Sequence, residues 1–498
     1  MELQFQKSTC KFLECLVREI QNAELTQEIR LSDGMPDIGR VLASWGQVIL
    51  RGKEWRGDMA MLSGGLMVWV LYAPEDGSDP KSVEGWLPFQ LKWNLPVSDR
   101  DGVLRISPVL RFVDSRNVSA RKIMVRAGIA ALGEALCAAQ TPVYNSGELP
   151  DDVQLLTRTY PVRLPREAGE KTFFVDEDIS MPASSGAEKI LSYSALPQLQ
   201  DKKVMSDKVV LRGSTELHLI YRDQNGKIRS WDTSVPFAQY GDLDTAYGPE
   251  AQADVQMGIT SLELDLNEQG QLRFKCGLLA QYLVDDRELL TLGEDAYSLR
   301  RDVQPMNEPL IVPGILEKRT ETVPVRHTLA GQSGEVMDMV FLPDQPRLRK
   351  TDEGVEAQLS GIFQILCSGE DGILRSGTSR WESTFAFPAD PETLVTMLSV
   401  PAVSGRVRTE GEDMLLETQM ELAICTQGEK GIPMIAGLEI GEEKEPEVGR
   451  PSVILRRPEG RSLWELAKAS GSTVAAIQNA NQLQEEPADN RMLLIPVC

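Results

Sequence analysis

Apolar and polar residues alternate over most of the first 440 positions, which is the pattern of β-strands with one buried face. The clearest run occupies the alternate positions Leu416, Thr418, Met420, Leu422 and Ile424. This pattern predicts a mainly β chain. Residues 5–19 are the exception, because their apolar positions fall roughly on one side of a helix and predict an amphipathic N-terminal helix.

A hairpin pattern occurs three times, at intervals of about 148 residues. In each copy an alternating segment leads into an acidic or amide-rich turn that ends in Gly. The three copies occupy residues 62–77, 211–226 and 359–372. An early glycine and a later tryptophan recur at Gly64, Gly213, Gly361, Trp86, Trp231 and Trp381.

A second pair of alternating segments follows each hairpin, at residues 109–132, 261–284 and 402–424. The period is much longer than that of solenoid repeats, so the repeats predict copies of one whole domain. We therefore expect three β-rich, sandwich- or barrel-like domains. Their predicted ranges are 1–148, which includes the N-terminal helix, 149–297 and 298–440.

The last part of the chain has a different organisation. Residues 441–449 (GEEKEPEVG) are charged and lack apolar periodicity, which predicts a linker with few contacts across it. Beyond it, residues 452–456 and 492–497 read as short strands that flank two helices. Ser462 and Glu465 fit a capping box at the start of the first helix, and Gly471 is placed to end it. The order is β-α-α-β.

Residues 450–498 resemble a LysM domain along their whole length. The positions that match the LysM pattern are Gly460, Ser462, Leu463, Trp464, Leu466, Ala467, Val474, Ile477, Asn481, Leu483, Leu494, Ile495 and Pro496. Arg461 departs from it, since the family usually has Asp there. The resemblance implies a groove between two loops that takes N-acetylglucosamine polymers or a protein partner. Its residues here are Gly460, Arg461, Ser462, Leu463, Asn481, Gln482, Leu483 and Gln484.

The combination of three β-rich units and one terminal LysM resembles the SipL family of spore coat morphogenesis proteins, which carry SPOCS domains. The three hairpins with their tryptophans are the parts that look like SPOCS domains. The resemblance implies a non-enzymatic scaffold of endospore coat assembly. Such a protein lies in the mother-cell cytoplasm and is recruited to the forespore surface. There its LysM domain docks on the ATP-hydrolysing protein of the coat basement layer, and no cofactor is implied.

The charge balance excludes some partners. The chain has 52 Lys+Arg against 74 Asp+Glu, a net charge of −22, which argues against general binding to nucleic acid or anionic lipid. The acidity is uneven, because residues 450–498 carry a net charge of +1. The start of the chain predicts no signal peptide, and no apolar stretch reaches membrane-spanning length. Seven dispersed cysteines predict free thiols rather than disulfides.

Few residues suggest catalysis. The chain has only two histidines, of which His218 lies on an alternating strand, and no nucleotide-binding, hydrolase or metalloprotease motif. The adjacent acids Asp285 and Asp286 are expected to be solvated turn residues rather than a glycosidase pair. A basic cluster, Arg111, Arg116, Arg121, Lys122 and Arg126, reads as the solvent face of a hairpin or as a docking patch.

Three hypotheses remain from the sequence. The preferred one is the coat scaffold. The second is a cell-wall protein that binds peptidoglycan or N-acetylglucosamine, which would require export. The third is a wall hydrolase with an unrecognised carboxylate pair in one of the three units.

Overall fold

The computed structural model describes residues 2–96, 101–267, 270–330, 334–369, 372–390, 392–401, 405–410, 413–444, 449, 451–485 and 487–497. Within these residues the chain is mainly β, as the alternation predicts, with two short α-helices near the C-terminus. It begins with the short strand β1 (Glu2–Gln4).

The first unit consists of two antiparallel three-stranded sheets. Its strands are β2 (Gln6–Arg30), β3 (Ile38–Arg56), β4 (Met59–Pro74), β5 (Lys81–Asn94), β6 (Gly102–Ser119) and β7 (Lys122–Asn145). One sheet has the order β2–β7–β6 and the other β3–β4–β5. Apolar residues of both sheets, among them Leu66 and Ile129, form one core, so the unit is a sandwich.

The second unit has the same division into two sheets. Its elements are β8 (Val153–Ser180), a 3₁₀ turn (Ala183–Ser185), β9 (Ala187–Asp223), β10 (Ile228–Tyr247), β11 (Gln252–Leu266) and β12 (Gln271–Ser298). Here the sheets have the orders β11–β12–β8 and β10–β9. They share a core that includes Leu219 and Phe274.

The third unit is divided into shorter strands. They are β13 (Arg301–Asn307), β14 (Leu310–Leu329), β15 (Glu335–Pro343), β16 (Arg347–Thr351), β17 (Gly354–Ser368), β18 (Leu374–Phe387), β19 (Leu394–Pro401), β20 (Arg406–Glu410), β21 (Asp413–Ile432) and β22 (Ile435–Glu443). The order β14–β21–β19 forms one sheet, and β17 lies at the centre of the other. In each unit the first and the last long strand form an antiparallel pair; these pairs are β2/β7, β8/β12 and β14/β21.

The predicted hairpins are confirmed, and the recurring glycine has a steric role. Strand pairs β4/β5, β9/β10 and β17/β18 form antiparallel hairpins. A Cβ atom on Gly213 would lie 2.1 Å from the carbonyl oxygen of Gln198 and 2.8 Å from the ring of Phe237. Gly64 and Gly361 are each confined in the same way by a strand carbonyl and an aromatic ring. The tryptophans do not share one register, because Trp381 faces its glycine whereas Trp86 and Trp231 do not.

The predicted N-terminal helix at residues 5–19 is wrong. Residues 6–30 form β2, which pairs with β7 over its whole length. A bulge between Cys15 and Val17 changes the side of the strand on which apolar residues lie. Phe12 packs in a core shared by the three units, whereas Val17 packs against the core of the first unit. Before and after the bulge, apolar residues alternate with polar ones on opposite sides of the strand. The combined spacing of the apolar residues therefore resembles that of a helix.

The outer ends of the three long strand pairs pack against each other. Their shared core contains Cys10, Phe12, Val143, Val162, Leu164, Leu290, Leu292, Leu310, Val312, Ile432 and Met434. Next to it, β22 pairs with both β13 and β1, and Leu3 is opposite Leu438. The N-terminal strand thus completes a sheet of the third unit. The three units are held together by apolar packing and by this exchange of a strand.

The chain ends with β23 (Val453–Arg456), α1 (Leu463–Ser470), α2 (Val474–Asn481) and β24 (Leu493–Pro496), which we call the C-terminal module. The capping box of Ser462 and Glu465 is confirmed, and Gly471 ends α1 in the left-handed conformation with a φ of 62°. Strand β22 continues to Glu443, so residues 441–443 of the predicted linker belong to a strand.

Candidate functional site

The first predicted groove loop, residues 460–463, is held by local hydrogen bonds. Gly460 has a φ of 80°, and its N–H donates to Asp489 Oδ1 at 2.9 Å. Ser462 caps α1, and Leu463 is buried in the core of the module. Arg461 is exposed. Of these four residues, Arg461 has the side chain best placed to contact a partner.

The second predicted groove loop, residues 481–484, is also held by local hydrogen bonds. Asn481 donates to the carbonyl of Leu494 at 2.6 Å and accepts from its N–H at 2.8 Å, so this side chain ties α2 to β24. Leu483 packs against the module core. Gln482, which caps α2 with a φ of 52°, and Gln484 are exposed. Half of the predicted groove set, namely Ser462, Leu463, Asn481 and Leu483, therefore maintains the module's own fold.

The module packs on the end of β12, and the prediction of few contacts across the linker is wrong. Asp295 accepts a hydrogen bond from Trp464 Nε1 at 2.8 Å, and each of its oxygens lies 2.8 Å from Lys468 Nζ. Tyr297 donates to the carbonyl of Ser472 at 2.7 Å, and its ring lies 4.8 Å from that of Trp464. Tyr297 belongs to the same apolar core as the module's helices. Asp295 and Tyr297 of β12 thus attach the module to the second unit.

A buried ionic cluster joins the three units. Glu134 of β7 accepts from Arg18 at 2.7 Å and from Arg105 at 2.8 Å. Arg105 also donates to Asp254 of β11 at 2.6 Å, and Lys318 of β14 pairs with Asp254. Arg105 and Asp254 are 149 residues apart, the interval of the sequence repeat, so equivalent strands of the first and second units meet here.

The protonation states follow from this arrangement. Burial would raise the pKa of both Glu134 and Asp254, but the neighbouring cations more than offset it, so the pKa of each lies below its ordinary value. Asp285 lies near Asp254 and near Lys318, Arg105 and Arg163, whose positive charges do not offset the opposing effects on its pKa. Burial and the Asp254 charge raise its pKa to about 6.

A second polar junction involves His218. Its Nδ1 lies 2.6 Å from Asp232 and its Nε2 lies 3.0 Å from Asp338 of the third unit. Trp45 of the first unit donates to the other oxygen of Asp338 at 2.7 Å. Burial would lower the pKa of His218, but the two carboxylates raise it to about 10, so both ring nitrogens carry protons and donate. The sequence identified His218 only as a residue of an alternating strand, which gave no sign of this role.

The expectation that Asp285 and Asp286 are solvated turn residues is wrong, because both lie within strand β12. Strand alternation directs Asp285 and Asp286 to opposite faces of β12, and Asp285 lines a cavity of about 860 Å³ between the units. Asp254, which lies near Asp285, forms ion pairs with Arg105 and Lys318.

The position of the basic cluster on a hairpin is confirmed, and its role as a docking patch stays a prediction. It lies on the β6/β7 hairpin, where most of its members form ion pairs. These are Arg111–Asp344, Arg121–Asp37, Lys122–Glu28 and Arg126–Glu24.

One sequence signal did point to the ionic cluster. Glu134 is the single charge within the apolar run GIAALGEALCAA at residues 128–139. A lone charge in such a run needs a buried partner. No comparable signal marks Asp295, which lies in an ordinary mixed segment.

Three further findings concern membrane-spanning helices, metal-binding clusters and disulfides. In the part of the chain that the structure describes, no helix is both long and apolar enough to cross a bilayer. That part also has no cluster of three side chains suited to a metal ion. None of its six cysteines forms a disulfide.

Taken as a class, the protein consists of β-sandwich units joined by buried polar contacts, with a small helical module anchored to one of them. Residues 187–267 match the family model described as SipL, SPOCS domain. This range covers β9, β10 and β11 of the second unit. No curated protein and no solved structure matches the chain. The match supports a sporulation-related protein of SipL type.

Proposed function

We propose that the protein is a non-enzymatic scaffold of endospore coat assembly. The single observation that carries this proposal is the match of residues 187–267 to the SPOCS domain of SipL. In this proposal the protein acts in the mother-cell cytoplasm and is recruited to the outer surface of the forespore. Its C-terminal module is a LysM domain that docks on the ATP-hydrolysing protein of the coat basement layer.

We also propose that the three units are copies of one SPOCS-type domain. Two observations support this. The first and last long strands of each unit pair in the same way, and the recurring glycine is confined by a carbonyl and a ring in each unit. In this proposal the joined units form the base to which Asp295 and Tyr297 attach the module.

The proposal is tested by following a fluorescent fusion of the full chain in sporulating cells. A scaffold of the coat is expected to surround the forespore and to require the coat ATPase for this position. In cells that lack the chain, other coat proteins should detach from the forespore. A fusion that stays dispersed, or that surrounds the forespore without the ATPase, would contradict the proposal.

A further inference from the structure

The outer face of the β23–β24 ribbon is apolar and open to solvent. Its side chains are Val453, Leu455, Met492 and Leu494, with exposed fractions of 47%, 67%, 51% and 38%. Leu455 and Leu494 are directly opposite each other in the strand pairing. We call these four side chains the ribbon face. They are four of the thirteen exposed large apolar side chains among the described residues, although the module is about a tenth of the chain.

The rest of the molecule does not use the ribbon face. The alternate residues Ile454, Leu493 and Ile495 point the other way, into the core that the module shares with Tyr297 of β12. Because the module is anchored through that core and through Asp295, the ribbon face is directed away from the second unit. A concentrated apolar patch of this kind marks an interaction surface.

The charges beside the ribbon face favour an acidic partner. Arg457 follows β23 on the alternate positions of Val453 and Leu455, Arg491 precedes β24, and both are exposed; Arg456 is also exposed but lies opposite Leu493, on the other face of the ribbon. Neither Arg456 nor Arg457 forms an ion pair with any residue that the structure describes. The module carries a net charge of +1 on a chain of −22. The acidic remainder of the chain repels an acidic segment of a partner. Such a segment would therefore favour approach to the basic residues beside the ribbon face.

We propose that the ribbon face binds an acidic segment of a partner protein, in which apolar side chains cover Leu455 and Leu494 and a carboxylate meets Arg457. The inference deepens the proposed function, on which it rests, by naming the surface and the chemistry of the partner. It differs from the groove at residues 460–463 and 481–484, because it consists of side chains of the β23–β24 ribbon rather than of those two loops.

The test uses the full chain and a fluorescein-labelled peptide of alternating valine and glutamate, with a valine–lysine peptide of equal length as its pair. The variant is Leu455→Ser with Leu494→Ser. Leu348→Ser is the matched control, since Leu348 has the same exposed fraction as Leu494, 38%, but lies in the third unit. Fluorescence anisotropy should show at least tenfold weaker binding of the glutamate peptide to the double variant and unchanged binding to the control.

Charge reversal provides the second arm. Arg457→Glu should weaken binding of the glutamate peptide and strengthen binding of the lysine peptide, and salt should reduce the wild-type preference. Equal binding of both peptides to the wild type, no binding, or unchanged binding to the double variant would overturn the proposal. So would a wild-type dimer in sedimentation that the double variant loses, because the occupant would then be a second copy.

The same variants separate this inference from the proposed function. If the coat ATPase binds the double serine variant as well as the wild type, the ribbon face is not the docking surface, and the proposed function stands. If the ATPase binds neither while the wild type still prefers the glutamate peptide, the proposed function fails and the ribbon face stands.

Discussion

His218 of the second unit donates a hydrogen bond to Asp338 of the third unit, over 3.0 Å between Nε2 and Oδ1. Because Trp45 of the first unit donates to the other oxygen of Asp338, one carboxylate joins all three units. The two donors lie on different strands of different units, so the contact exists only when the units are assembled.

This junction predicts a specific dependence of stability on pH. The pKa of His218 rises from an ordinary 6.5 to about 10 in the folded chain, so its contribution is complete below about pH 6.5 and is lost as the pH rises to about 10. The melting temperature of the wild type should fall more between pH 6.5 and 9.5 than that of His218→Gln. Parallel curves for the two proteins would show that the junction does not stabilise the fold.

The ionic cluster predicts a large effect for Glu134→Gln. The substitution leaves Arg18 and Arg105 buried beside a neutral amide, and breaking a buried pair in this way costs about 3–5 kcal/mol. Urea unfolding should show this loss. The matched control is Glu24→Gln, which removes an exposed pair with Arg126 and should change stability little. Similar losses in both variants would contradict the structural role of the cluster.

Asp295→Ala should release the C-terminal module without unfolding it. The substitution removes the acceptor for Trp464 and Lys468, for which we expect about 2 kcal/mol of docking free energy. Hydrogen exchange of α1 should become about tenfold faster or more, while the capping box keeps the helix intact. Asp302→Ala is the control, because Asp302 is exposed and lies in β13, which pairs with β22. Unchanged exchange in Asp295→Ala would mean that apolar packing alone holds the module.

The confined glycine gives a steric prediction. In Gly213→Ala the new methyl group would collide with the carbonyl of Gln198, so the strands must separate at a cost of about 1–3 kcal/mol. Gly377→Ala, in β18, is the control, since no heavy atom lies within 4 Å of its added Cβ. Thermal unfolding should rank Gly213→Ala well below both the wild type and the control. Equal melting temperatures would contradict the close approach of these strands.

The sequence allowed the hairpins and the capping box to be predicted, because both depend on residues close together in the chain. It misled at β2, where the bulge near Leu16 combined two strand phases into a helical spacing. The contacts between units could not be predicted from the sequence, because Arg105 contacts Asp254 only through the packing of whole domains. Glu134 was visible as a lone charge, but its three cationic neighbours were not.

For the candidate site, the sequence located the module and its loops but not its attachment. The residue types at 460–463 and 481–484 were consistent with a groove, and the structure shows which of them serve the module's own fold. Asp295 and Tyr297 could not be identified in advance, because the linker residues gave no sign that the module returns to β12. The ribbon face was hidden by the same alternation that marks any strand.

The most direct test of the central claim is titration calorimetry of the full chain with the purified coat ATPase, in parallel with N-acetylglucosamine oligomers. The scaffold proposal predicts saturable binding of the ATPase and weaker or no binding of the oligomers. Tight binding of the oligomers with no heat from the ATPase would contradict it and favour a cell-wall protein instead.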